Sequence, residues 1–108
     1  LIKVFNATDK KRLARQITDY LRFLNGKGIL NIDVVGYGNW YGKKEKSEIT
    51  ASSGRFLELS KLAEELGLTS TAIFFKRNKL SFADAVLIAG KDIKLPKADG
   101  WKTQEMLH

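Results

Sequence analysis

Three aromatic side chains, Tyr37, Trp40 and Tyr41, lie close together among Gly36, Gly38 and Gly42, and Lys43, Lys44 and Lys46 follow at once. Flat rings on pliable backbone can stack on nucleobases, an interaction worth roughly 1–3 kcal/mol per base and indifferent to base identity. Ammonium groups beside such rings would neutralise phosphates. The same stretch, residues 36–55, closes on Ser52, Ser53, Gly54 and Arg55. Two hydroxyls, close backbone approach and a guanidinium fork ahead of a helix would suit a phosphate. Both features also have plain structural uses. A tryptophan in a glycine-rich loop can fold back over the core, and a Ser-Ser-Gly start can simply cap a helix.

A third set of cations falls on helical spacing. Lys11, Arg15 and Arg22 lie within about 40° of each other at 100° per residue. They oppose an apolar stripe made by Leu13, Ile17, Tyr20, Leu21 and Leu24. This basic face is either solvated or follows a polyanion. The charge budget favours an anionic partner, since the chain carries a formal net charge of +7. Residues 1–50 hold ten Lys/Arg against five Asp/Glu, whereas residues 51–108 hold nine against seven, so the first half carries most of the positive field.

Several chemistries are disfavoured by composition. There is no cysteine, which removes disulfides, thiolate nucleophiles and Cys-type zinc sites. The single histidine is His108, the last residue, a poor place for a triad or an imidazole metal site. Asp33, Glu45, Glu48, Asp84 and Asp92 are scattered, without metal-ligand spacing. No cofactor, metal or catalytic role is expected. No run approaches the roughly 18 apolar residues of a membrane span, and the first residues show no cleavable signal pattern. A cytoplasmic protein with no membrane partner is the expectation.

The positioning elements read as follows. Residues 1–5 form a short strand, with Asn6 and Thr8 as turn or capping residues. Residues 9–24 form the first helix, stopped by Asn25 and Gly26. Residues 29–35 read as a strand, residues 36–47 as a long hairpin loop, and residues 48–51 as the returning strand. A second helix spans about 55–66 on a stripe of Phe56, Leu59, Leu62, Ala63 and Leu66, ended by Gly67. Residues 71–76 suit a strand, Arg77 and Asn78 a tight turn, and residues 80–89 a buried strand more than a helix. The last residues form a polar tail anchored by Trp101, free to pack on the domain or on a second copy. The chain is thus expected to be one α+β domain over residues 1–95. Its order is β-α-β-β-α-β-β, a small antiparallel sheet with two helices on one face.

Two short resemblances complete the reading. LSFADAVLIA at residues 80–89 resembles the acidic helix motif of PIN-domain ribonucleases, which would make Asp84 a metal ligand. It covers ten residues, and the first strand lacks that family's aspartate. KLAEELGLTSTAIFF at residues 61–75 resembles a helix-turn-helix, though Lys76 falls where that motif wants an apolar residue. Neither assigns a family. The functional expectation is therefore a non-catalytic binder of phosphate-rich ligands, nucleic acid first. The rivals are a protein that sequesters a nucleotide-derived small molecule, and an interaction module or inhibitor docking on an acidic or nucleic-acid-binding partner.

Overall fold

The computed structural model describes residues 1–52, 56–75 and 84–96. The expected residues Ser53, Gly54 and Arg55, the turn at Arg77 and Asn78, and the tail with Trp101 lie outside them. The elements are β1 (Ile2–Asn6), α1 (Leu13–Gly26), β2 (Val34–Asn39), β3 (Glu48–Ala51), α2 (Phe56–Glu65), a 3-10 turn (Ser70–Ala72), β4 (Ile73–Phe75) and β5 (Ala85–Ala89). The class is α+β, in the expected order of elements.

The strand pairing corrects the expectation of an antiparallel sheet. The sheet is mixed, ordered β2-β1-β5-β3-β4. β2 and β5 flank β1, both parallel to it, while β3 runs antiparallel to β5 and parallel to β4. The cause lies in α1, which carries the chain from the end of β1 back to its start, so that β2 sets off in the same direction. The expected hairpin between β2 and β3 is likewise absent, because β1 and β5 lie between them. The glycine-aromatic residues 36–39 belong to β2 itself, and residues 29–33 lead into it. Helix α1 starts at Leu13 rather than at Asp9, which frees residues 7–12 as a loop.

One face of the sheet makes the core. Register places Ile2 beside Ala85 and Val4 beside Leu87, and sets Ile49 opposite Leu87 and Ala51 opposite Ala85. These side chains share a single buried cluster with Ile17, Leu21 and Leu24 of α1 and with Leu59, Leu62 and Ala63 of α2. Both helices therefore lie on that face. Helix α1 presents the stripe its sequence spacing announces; α2 does so except at Phe56, which is 47% exposed. Burying a full Leu or Ile side chain contributes about 1.5–3 kcal/mol. The alternate residues Lys3, Phe5, Thr50, Val86 and Phe74 point to the other face, away from the helices.

Candidate functional site

The carboxyl ends of β2, β1 and β5 lie side by side, the position where parallel sheets commonly place ligands. The loop after β1 is built around Asn6, whose side chain is buried. Its Oδ1 accepts from Thr8 N at 2.9 Å and Thr8 Oγ1 at 2.6 Å, and its Nδ2 donates to Lys10 O at 2.7 Å. Thr8 Oγ1 in turn accepts from Lys10 N at 3.1 Å. An asparagine turn of this kind satisfies loop backbone that the sheet has left behind. Both residues are the turn formers that the sequence suggests. The loop then presents Lys10, Lys11 and Arg12 to solvent.

Arg12 takes the left-handed conformation, with φ 65°, and precedes a helix start that no side chain caps. The first turn of α1 holds no acidic residue. Its N-terminal end is thus electropositive without internal compensation.

Residues 40–47 form a strap over this end of the sheet. They must cross from β2 to β3, three strand spacings or about 14 Å apart, a span eight residues cover easily. Trp40 N donates to Asn6 O at 2.8 Å, Lys44 N to Ala7 O at 2.8 Å, and Lys91 N to Lys44 O at 3.1 Å. The strap is therefore stitched to the ends of β1 and β5.

Between the strap and the β1–α1 loop lies a cleft of about 410 Å³. Asn6, Thr8, Lys10, Lys11, Arg12, Asn39, Trp40 and Lys43 line it, with Asp9 as the only acid among the described residues. Lys43 Nζ lies 3.1 Å from Asp9 and donates to Thr8 O at 3.0 Å. Lys10, Lys11 and Arg12 make no ion pair among the described residues. Four cations thus face one carboxylate in a concave site, where low-dielectric walls concentrate the positive field.

The aromatic cluster is divided. The Trp40 ring packs on Phe5 at 5.5 Å and on Tyr41 at 4.6 Å, the latter with 32° between planes. Tyr41 itself is 92% exposed. Tyr37 sits in register with Val4, on the helix side of the sheet, while Gly38 faces the Phe5 ring. Tyr37 and the Trp40–Tyr41 pair therefore serve opposite faces, which corrects the reading of one three-ring cluster. The alternation of side chains along β2, hidden while this stretch is read as a loop, is the reason.

The lysines divide too. Lys44 Nζ lies 3.1 Å from Glu48 Oε1, and its backbone is part of the strap, so it is largely structural. Lys46 lines a different hollow, with Thr69, Thr71 and Phe74. Ser52 lies at the other end of the sheet, its N and Oγ donating to Asp84 O at 2.9 and 3.2 Å. Four strand steps, about 13 Å, separate that end from the cleft. Ser52 and the cleft therefore do not share one site. Arg15 and Arg22 are exposed on α1, as expected, with Arg15 in the first turn beside the cleft and Arg22 about 10 Å farther along the axis.

The carboxylates are committed to the scaffold. Asp33 accepts from Asn25, Glu45 pairs with Lys91, Asp84 with the Leu1 amine, and Asp92 with Ser47. Among the described residues, no three acidic or imidazole groups gather to hold a metal, and no helix is long and apolar enough to cross a membrane. Ala85–Ala89 is a strand, which removes the PIN-like helix, and the 3-10 turn followed by β4 removes the helix-turn-helix. Of the residues that line the cleft, the sequence singles out Trp40, Lys43 and Lys11. It passes over Lys10 and Arg12, whose partners across the cleft lie some thirty residues away. No match is found among protein families, curated proteins or solved structures.

Proposed function

We propose that this chain is a non-catalytic binding protein for phosphate-rich ligands, nucleic acid foremost, held at the carboxyl ends of β2, β1 and β5. One observation carries the reading. Lys10, Lys11, Arg12 and Lys43 line a single cleft rimmed by the Trp40 ring, with Asp9 as the only acid lining it among the described residues. Ammonium and guanidinium groups release counterions from a phosphate backbone when they bind it. The uncapped start of α1 adds partial positive charge at the same place.

The test is fluorescence polarisation with labelled oligonucleotides at low and moderate salt. Reversing Lys10, Lys11 and Arg12 together to Glu should abolish binding, whereas Lys61→Glu on α2 should leave it intact. Retained binding in the triple variant would move the interface elsewhere. A second reading is favoured by the cleft's size, which falls within the range of about 300–1,000 Å³ common for small-ligand sites. In that case a mononucleotide binds as well as an oligonucleotide, with a shallow salt dependence.

A further inference from the structure

Phe5, Trp40 and Tyr41 form a column that starts on the helix-free face of the sheet, lines the cationic cleft with its middle ring, Trp40, and ends in solvent at Tyr41. Its members are separated by 5.5 and 4.6 Å, and the backbone beneath it is pinned by Trp40 N donating to Asn6 O at 2.8 Å. The outermost ring, Tyr41, rests one side on Trp40 and is nevertheless 92% exposed. A ring with a bare outer face, supported by a tryptophan that itself lines a cleft with four cations, has the form of a stacking platform.

From this juxtaposition we infer that the nucleic acid is single-stranded, with a base stacked on the outer face of Tyr41 and its phosphates over Lys43, Lys11 and Arg12. This rests on the proposed binding reading and specifies its ligand. A duplex keeps its bases stacked inside and offers the cleft only its backbone, so it gains nothing from the ring. An unpaired strand supplies both phosphate and base face. Because every base has such a face, the preference is for strandedness and not for sequence.

The test compares a short labelled oligothymidylate, an abasic oligomer of the same length and a duplex, each at one salt concentration. The wild-type protein should bind the thymidylate about 5-fold to about 150-fold more tightly than the abasic strand, the range expected for one stacked base. Tyr41→Ala should bring the thymidylate down to the abasic level, and Tyr41→Phe should restore the preference. Equal affinity for thymidylate and abasic strand, or for thymidylate and duplex, would overturn the inference while leaving polyanion binding in place. Failure to bind any of the three would instead remove the parent reading, and this one with it.

Discussion

At Arg12 the backbone adopts φ 65°, the only non-glycine to do so among the described residues. An L-residue in the left-handed region costs about 1–2 kcal/mol, which glycine avoids. Glycine's own loss of chain entropy returns about 0.5–1 kcal/mol of that. Arg12→Gly should therefore raise stability by up to about 1 kcal/mol and weaken polyanion binding. Thermal midpoint and polarisation on the same variant decide. A drop in midpoint would mean that the side chain supports the fold instead of the site. The strap is fixed by equally local features. Gly90 N donates to Ser47 Oγ at 2.7 Å, and Ser47 Oγ donates to Asp92 at 2.6 Å. A Cβ at Gly90 would meet Lys46 C at 2.7 Å and Lys44 O at 2.9 Å, both backbone atoms unable to yield cheaply. Gly90→Ala should cost about 1–3 kcal/mol through overpacking. Ser47→Ala should cost a similar amount by leaving a buried N–H unpaired. Denaturant titrations that place both variants within about 0.5 kcal/mol of wild type would show the strap to be only loosely held.

Between elements, the clearest polar tie joins the two helices. Tyr20 OH of α1 donates to Glu65 Oε2 of α2 at 2.9 Å. Burial, then that hydrogen bond and the carboxylate's charge, push the phenol up to about 12 from its usual 10. A raised acid pKa means that the folded state holds the proton more tightly. The contribution is complete below pH 10 and is lost as pH rises toward 12. Tyr20→Phe should flatten this part of the stability–pH curve, and an unaltered alkaline slope would rule the pair out as its source. Helices α1 and α2 were legible because apolar spacing is local: Leu13, Ile17, Leu21 and Leu24 announce their own face. Strands β3 and β5 were legible as strands for similar reasons. What could not be read was who pairs with whom. β1 meets β5 across more than eighty residues of chain, and parallel pairing leaves no turn signal to mark it. The same blindness affected the site. Gly36, Tyr37 and Gly38 look like a loop until β1 supplies their partners, and Lys10 and Arg12 look like ordinary surface until the strap crosses beside them.

At the scale of the whole molecule, five of the described cations gather at one end of the sheet. Lys10, Lys11, Arg12, Lys43 and Lys91 surround the carboxyl ends of the parallel strands, while the opposite end holds Asp84 against the Leu1 amine, with Glu58 close by. A polyanion should therefore approach from one direction, and its salt dependence should count the cations at that end. If the four cleft cations each neutralise one phosphate of a single strand, log K against log salt should slope at about −2.8, from about −0.7 per phosphate. Reversing Arg12 should make that slope shallower by about 0.7 or more. Arg15, in the first turn of α1, should follow with a smaller change. Arg22, some 10 Å farther along the same helix, should leave the slope alone. The graded series separates an end-on site from a groove running down the helix, because a strand following α1 would be equally sensitive to Arg15 and Arg22. Titrations of Arg12→Glu, Arg15→Glu and Arg22→Glu over a range of salt concentrations supply the answer. Equal loss at Arg15 and Arg22 would transfer the ligand from the cleft to the helix face.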